Sequence, residues 1–221
     1  MIARLALIAV LALAPPAAAQ QSGEGPSRPG FLAAMGLLQT REETLRHPRA
    51  PDIVLALPSS EQVRVRRSTP PEGAEDVVAT WEFVGEAGVL ETLTLTLATV
   101  ARAPPEARRF AMANLLVLRS YAELSRRVPS ARLIGFGPVG REGALDAVQA
   151  VGAFETQAGR NLVFRHVGLM AEGREEALVA LVTIDAARMP VRTDGELRDT
   201  YAGHAVASIR LAPDQTPPAG E

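Results

Sequence analysis

The chain has 221 residues, a formal net charge of −2 and no cysteine, and all 23 of its basic residues are arginine. Without cysteine it has no thiolate zinc site, no disulfide and no cysteine nucleophile. Without lysine it has neither a Schiff-base amine nor the lysine of a phosphate-binding loop. Because the net charge is close to neutral, we expect no nucleic-acid partner, and any recognition of an anionic surface has to be local.

The first residues have the pattern of a secretory signal peptide. Arg4 supplies a charged start, residues 5–13 are a short apolar run, and Ala17 to Ala19 supply the small residues of a cleavage site before Gln20. The apolar run is about half the roughly 20 residues that cross a bilayer. We therefore expect a periplasmic or secreted protein that begins near Gln20 and has no membrane segment after cleavage.

The rest of the chain is long enough for one domain with a sizeable core. Residues 20–30 are rich in Gly, Ser and Pro, and residues 212–221 are similarly poor in core residues. The sequence therefore predicts a signal peptide over 1–19, a flexible linker over 20–30, a single domain over 31–211 and a disordered tail over 212–221.

Within the domain, the hydrophobic period first indicates a helix and then a set of strands. Phe31, Met35, Leu38 and Leu45 are compatible with one helical face and predict a short helix over 31–46. From Asp52 the period changes to two. This alternation, with turn clusters at 70–73 and 85–88, predicts an antiparallel meander of four strands. The strands are placed at 53–57, 62–66, 77–83 and 91–97.

A long helix follows, starting at Pro104–Pro105 and reaching Val128. Its predicted apolar stripe consists of Phe110, Val117, Leu118, Tyr121, Leu124 and Val128. Four more strands are predicted at 131–136, 146–154, 162–170 and 177–184. Thr193 and Glu196 have the spacing of a capping box, which predicts that a final helix begins there.

The segment GFGPVG, Gly135 to Gly140, matches the G-x-G-x-x-G spacing of a dinucleotide-binding loop. That loop joins a strand to a helix, whose N-terminal N–H groups meet the pyrophosphate. Here Pro138 lacks an N–H, and the downstream residues 146–154 have the pattern of a strand. We therefore predict a structural turn with Gly135 or Gly137 at positive φ, and no bound cofactor.

The titratable residues give no clear catalytic or metal motif. The histidines are His47, His166 and His204, and no pair has the i, i+4 spacing of a zinc-binding helix. His166 and His204 would have to meet in space, with Asp185 or Glu155 as oxygen ligands. Ordinary half-buried or surface histidines are the favoured interpretation, so we assign no metal ligand and no catalytic residue.

Arginines form the candidate interaction surface. Arg64, Arg66 and Arg67 fall mainly on the outward face of a predicted strand, and Arg108 and Arg126 on the long helix would extend this surface. Guanidinium groups suit bidentate contacts to carboxylates or phosphates of a protein or of an anionic envelope component. The alternative is that these arginines only keep the protein soluble.

The order of elements resembles the PsbP/Mog1-like fold, an antiparallel sheet sandwiched by helices. The similar features are the strand 53–57 followed by a proline, the helix 105–128, the hairpin of 161–167 with 177–183, and the final helix running into 207–211. The resemblance covers about residues 50–211. It implies an α+β fold, an α/β/α sandwich in which a sheet of seven or eight strands is covered by one long and one C-terminal helix. It also implies an assembly, accessory or binding module, and it transfers no site residue.

These observations leave three functional hypotheses. The leading one is a non-catalytic periplasmic accessory protein that binds a protein or envelope component through an exposed sheet edge or the arginine surface. The alternative is a small-molecule or lipid carrier, with an apolar cleft between sheet and helix lined by Trp81, Phe83 and Leu118. The third is a hydrolase that uses His166 or His204.

Overall fold

A computed structural model describes residues 26–48, 50–69, 74–142 and 145–212. The predicted signal peptide, 1–19, and the turn cluster 70–73 lie outside these residues, as does all but residue 212 of the predicted tail. The elements are α1 (Pro29–Ala34), β1 (Gln39–His47), β2 (Ala50–Ser59), β3 (Arg64–Ser68), β4 (Val77–Gly85), β5 (Gly88–Thr99), α2 (Pro105–Leu115), a π-helical segment (Leu116–Tyr121), α3 (Ala122–Arg127), β6 (Arg132–Glu142), β7 (Leu145–Glu155), β8 (Asn161–Met170), β9 (Glu176–Asp185), α4 (Asp194–Arg198), α5 (Tyr201–Ala207) and β10 (Arg210–Leu211).

The strands form two antiparallel sheets. The larger sheet has seven strands in the order β3-β4-β5-β9-β8-β7-β6, and the smaller has three in the order β1-β2-β10. In β7, Ala147 packs in a core with α5, whereas its neighbour Val148 packs with α2. Because consecutive strand residues point to opposite faces, the helices cover both sides of the larger sheet. The predicted α+β sandwich is therefore confirmed.

The strands predicted from alternation are confirmed, and the alternation explains their burial. In β5, Leu93 and Leu95 are fully buried between the larger sheet and α5, while Thr92 and Thr94 on the other face are half-buried. The predicted turn at 85–88 joins β4 to β5, with Gly88 at a φ of 110°. This conformation favours glycine because it has no Cβ.

The helix predicted over 31–46 is wrong. Only α1 is helical there, and after Gly36, whose φ is 70°, the chain enters β1 and pairs with β2. In β1 only Leu45 is buried, so the strand has almost no apolar alternation to indicate its period. Pairing with β2 determines the conformation of β1.

The predicted four-strand meander is also corrected, because β2 belongs to the smaller sheet and only β3, β4 and β5 continue as a meander.

The long helix is present, but the predicted stripe is correct only toward its end, where Leu124 is buried and Tyr121 and Val128 pack against the same cluster. Phe110 and Leu118 are 69% and 67% exposed. The buried positions are spaced by four residues: Arg108, Met112, Leu116, Ser120 and Leu124. In an α-helix, with about 3.6 residues per turn, side chains spaced by four residues move gradually around the helix axis. The i→i+5 hydrogen bonds of the π segment place more residues in each turn, so there the same spacing moves the side chains back in the other direction. The π segment therefore keeps these residues against the sheet.

The two sheets meet at the buried side chain of Trp81 on β4. Its Nε1 donates to Oε2 of Glu43 on β1, at 3.3 Å. The other carboxylate oxygen of Glu43 accepts from Nη1 of Arg67 on β3, at 2.6 Å. Glu43 thus links the smaller sheet to two strands of the larger one.

Candidate functional site

The GFGPVG segment lies within β6, at one edge of the larger sheet. Its residues pair with β7, so the predicted turn is wrong. The register shifts between Leu133 and Gly135 and again between Pro138 and Gly140. These β-bulges absorb the extra residues while the strand stays paired. The strand then continues to Glu142, so the segment is not followed directly by the helix that a dinucleotide-binding loop requires.

The glycines of β6 leave one face of the strand without side chains. Gly137 has the predicted positive φ, at 158° close to fully extended, and Gly140 has a φ of 82°, in the left-handed region. A Cβ built at Gly135, Gly137 or Gly140 would meet no heavy atom within 4 Å. The space beside this part of the strand is therefore open.

This open space is part of a groove with a volume of about 340 Å³, which we call the β6 groove. Its floor is formed by Gly135, Gly137, Val139, Gln149, Val151 and Val163. Its wall is formed by residues 191–194 and Leu197, before and within α4. Two residues of β6 at the groove have large exposed side chains. Ile134 is 72% exposed; Phe136 is 62% exposed, but it pairs with Ala150, whose side chain packs with the long helix, so the Phe136 side chain lies on that opposite face of the sheet.

A chain of polar side chains connects the groove to the core. Nε of Arg165 donates to Oε1 of Gln149 at 2.8 Å, and Nε2 of Gln149 donates to Oδ1 of Asp194 at 3.3 Å. The Arg165 side chain is 1% exposed, and burial lowers the pKa of its guanidinium. Among the described residues, its Nη1 atom has no hydrogen-bond partner.

Glu142, at the end of β6, compensates this buried charge. Its Oε1 accepts from Nη2 of Arg165 at 2.5 Å and lies 3.4 Å from Nε of Arg198 on α4. Nη2 of Arg198 also donates to the carbonyl of Val139 at 3.0 Å. These contacts connect α4 to the end of β6, so the wall and the floor of the groove are held together.

The wall is stabilised at the start of α4 by the predicted capping box, which is confirmed. Thr193 Oγ1 accepts from the Glu196 N–H, and the Glu196 carboxylate accepts from the N–H groups of Arg192 and Thr193. The hydrogen bond from Arg192 is the main cause of the lowered pKa of Glu196. Arg28, in the described part of the predicted linker, donates to the carbonyls of Glu196 and Pro190.

The predicted arginine surface is divided between distant parts of the fold. Arg64, Arg66 and Arg67 are exposed on β3, the edge strand opposite β6. Arg66 pairs with Glu82 through its Nε and Nη2, and Arg67 pairs with Glu43. Two of the three guanidinium groups are thus bound within the protein.

The helix arginines do not extend this surface. Arg108 is buried, and it donates to the carbonyls of Ala171 and Arg174 at 2.8 and 2.6 Å, so its inclusion in a surface is corrected. Arg126 is exposed on α3. Because the long helix contacts β6, β7 and β8, these residues lie at the other end of the sheet from β3.

The two histidines considered as ligands or catalytic residues do not meet. Nδ1 of His166 lies 2.9 Å from Ser120 Oγ, beneath the π segment, and burial lowers its pKa to about 3. His204 contacts Asp199 on the side of α4 and α5, with Nε2 and Oδ1 3.0 Å apart. In the described parts of the chain, no three histidine, aspartate or glutamate side chains are grouped closely enough to hold a metal ion.

The residues suggested for a carrier cleft do not line a common space. Trp81 and Phe83 are fully buried in the core between the sheets, whereas Leu118 points outward from the long helix. An apolar cavity lined by Ile53, Leu97 and Leu145 has a volume of only about 20 Å³. This is far below the roughly 300 Å³ at which ligand pockets begin.

Sequence reasoning did not find the β6 groove. The segment contains the relevant signal, because Ile134 and Phe136 alternate with glycines, and such a strand cannot cover its own large side chains. The groove wall had no signal beyond the capping box, since its position depends on how α4 packs over the sheet.

Three solved structures are similar to this chain in fold. LpqN of Mycobacterium tuberculosis, which is involved in cell envelope biogenesis, is 12% identical with a TM-score of 0.45, over 79% of this chain and 92% of that one. PsbP of the cyanobacterium Synechocystis is 12% identical with a TM-score of 0.44, over 80% and 93%. The Ran-binding protein Mog1p of Saccharomyces cerevisiae is 10% identical with a TM-score of 0.36, over 78% and 96%.

The predicted resemblance to the PsbP/Mog1-like fold is thus confirmed. It concerns the fold alone. No family model and no curated protein matches the chain. None of the helices in the described residues has the length and apolar character needed to span a bilayer.

Proposed function

We propose that this chain is a non-catalytic binding protein that works outside the cytoplasm and receives a segment of a protein partner in the β6 groove. The observation that carries the proposal is the open groove along β6, which is bordered by Ile134, an apolar side chain that is 72% exposed. Large apolar side chains that remain exposed next to a concave surface are typical of interaction sites. The pattern of residues 4–19 supports export.

The polar network suits binding better than catalysis. Arg165, Gln149 and Glu142 hold one another through hydrogen bonds, which gives the floor of the groove a fixed shape. A rigid site lowers the entropic cost of binding. The Ser120–His166 pair has the side chains of a hydrolytic dyad, but both residues are buried between helix and sheet.

Site-specific photo-cross-linking tests the proposal. A photoreactive phenylalanine analogue is placed at Ile134 or, as a matched control, at Phe110, which is similarly exposed but lies on the long helix. We expect a discrete cross-linked protein from position 134 in the producing cells and none from position 110. The adduct should disappear when Gly135→Val fills the groove.

Two outcomes would contradict the proposal. Equal cross-linking from both positions would indicate collision rather than a site. An adduct that persists unchanged in a correctly folded Gly135→Val protein would place the contact outside the groove.

A further inference from the structure

We propose that the occupant of the β6 groove is a short, extended peptide segment of its protein partner, with carboxylate side chains next to apolar ones. This inference rests on the proposed function and specifies the chemistry of the partner. It follows from the shape of the groove, its apolar floor and the charges around it.

The shape of the groove fits an extended segment. Its volume of about 340 Å³ is near the lower end of the range for ligand sites, and a helix of about 10 Å diameter needs a wider groove. The open positions at Gly135 and Gly137 lie along the strand direction. Side chains of a peptide running beside β6 would occupy the space that a Cβ would otherwise fill.

The floor of the groove selects apolar side chains. Val151 and Val163 lie on neighbouring strands and line it, and Ile134 lies beside them with most of its surface exposed. Covering these groups removes apolar surface from water, which is the main favourable term in association. Gln149 is the polar group of the floor, and it is already engaged with Arg165 and Asp194.

The charges around the groove select carboxylates. Arg192 lines the wall and Arg132 begins β6, and both are exposed. Neither guanidinium lies within 4.0 Å of a carboxylate of a described residue, although the charge of Arg192 helps to lower the pKa of Glu196. The nearby carboxylates are engaged: Glu142 with two arginines, Glu196 with backbone N–H groups, and Asp194, which lines the groove, with the side-chain amide of Gln149. Guanidinium groups bind carboxylates through paired, charge-assisted hydrogen bonds, so this surface complements an acidic segment.

The edge of the sheet argues against a second copy of the chain as the occupant. Pro138 has no N–H to donate, and the two bulges interrupt the regular spacing of main-chain groups along β6. Both features are devices that keep edge strands from pairing with one another. The segment is therefore expected to bind through its side chains in the groove rather than to extend the larger sheet.

Calorimetric titration with synthetic peptides tests this inference. The probes are a short peptide alternating leucine and glutamate, a counterpart with lysine in place of glutamate, and a counterpart with serine in place of leucine. We expect the glutamate peptide to bind at least about tenfold more tightly than either counterpart, a difference of about 1.4 kcal/mol. Arg192→Ser should remove the preference for glutamate over lysine, whereas Arg64→Ser on the opposite edge should not.

Two further measurements locate the binding site. Gly135→Val should abolish binding, and Ser68→Val on β3 is its matched control. Backbone NMR shifts of the unmodified protein should change along β6 and residues 191–194, which tests the location even if a variant fails to fold. Shifts confined to another surface would overturn the inference.

The results separate this inference from the proposed function. If the glutamate and lysine peptides bind equally, the selection for carboxylates is wrong. If no peptide binds while cross-linking at Ile134 remains specific, the partner is not a peptide segment of this kind, and the proposed function still stands. If the cross-linking also fails, the proposed function fails with the inference.

Discussion

Two buried side chains on opposite faces of the larger sheet, Glu91 and His166, give the folded protein opposite responses to pH. Glu91 accepts from the N–H groups of Tyr201 and Ala202 at 3.1 and 2.8 Å, at the start of α5. Burial nevertheless raises its pKa to about 7. Burial lowers the pKa of His166 to about 3. The folded protein therefore favours the neutral form of both groups.

The signs of the two effects follow from linkage between protonation and folding. Glu91 contributes fully to stability below its ordinary pKa of 4.5, and this contribution is lost as the pH rises through about 7. His166 contributes fully above its ordinary pKa of 6.5, and this contribution is lost as the pH falls through about 3. Between pH 4.5 and 6.5 the two slopes oppose each other.

We therefore expect a nearly constant free energy of unfolding between pH 4.5 and 6.5 in the unmodified protein. Glu91→Gln removes the pH dependence contributed by Glu91 and leaves that of His166. The free energy of unfolding of this variant should therefore rise by about 1.4 kcal/mol per pH unit over this interval. Urea unfolding across the interval measures this. The exposed Glu61→Gln is the control. A Glu91→Gln protein whose stability is as independent of pH as that of the parent would contradict the assignment.

The glycines of β6 differ in what they require of the backbone. Gly140 has a φ of 82°, whereas Gly135 has no positive φ, and both have open space around a built Cβ. We expect Gly140→Ala to cost about 1 kcal/mol or more in stability, because alanine is strained there. Gly135→Ala should change stability by less than about 0.5 kcal/mol. Similar midpoints of urea unfolding for the two variants would show that φ is not the cause.

At the scale of single residues, the sequence predicted less than at the scale of elements. The predicted positive φ is found at Gly137, although the segment is a strand and not a turn. The pairing of this segment with β7 was missed, because bulges depend on the partner strand. The burial of Arg108 was missed because its hydrogen-bond acceptors, the carbonyls of Ala171 and Arg174, are distant in sequence.

At the scale of elements, the long helix gives a direct comparison between the predicted and observed packing faces. Met112 is fully buried against the sheet, whereas Phe110, from the predicted stripe, is 69% exposed. We expect Met112→Ala to cost about 2–5 kcal/mol, since it leaves a cavity in the core. Phe110→Ala should change stability by less than about 0.5 kcal/mol. Chemical denaturation of both variants measures this, and the reverse order would support the predicted stripe.

The elements found from sequence are those whose period is visible in apolar residues. Alternation of buried and less buried residues predicts β4 and β5 correctly. Nearly continuous apolar runs predict β8 and β9 correctly. The sequence of β1 does not indicate a strand, because Leu45 is its only buried residue and no apolar alternation is visible. The π segment has no sequence signature, and the face of the long helix could not be assigned without it.

At the scale of the whole molecule, one core joins the two sheets. Leu55 of β2, Phe83 of β4 and Tyr201 of α5 belong to the same buried cluster. A shared core predicts that the sheets unfold together, which agrees with the expectation of a single domain over 31–211. Leu55→Ala should therefore shift the midpoint of one calorimetric transition to lower temperature. The exposed Leu37→Ala should not shift it. Two separate transitions would contradict the prediction.

The position of Trp81 gives this junction a natural optical signal. It is the single tryptophan of the chain, it is fully buried, and it contacts Glu43 across the boundary between the sheets. Its fluorescence emission therefore reports whether the smaller sheet remains docked on the larger one. Because the β6 groove lies at the far edge of the larger sheet, we expect a partner bound there to leave this emission unchanged and separation of the sheets to alter it. Docking of the sheets and occupancy of the groove are thus distinguished by one intrinsic chromophore.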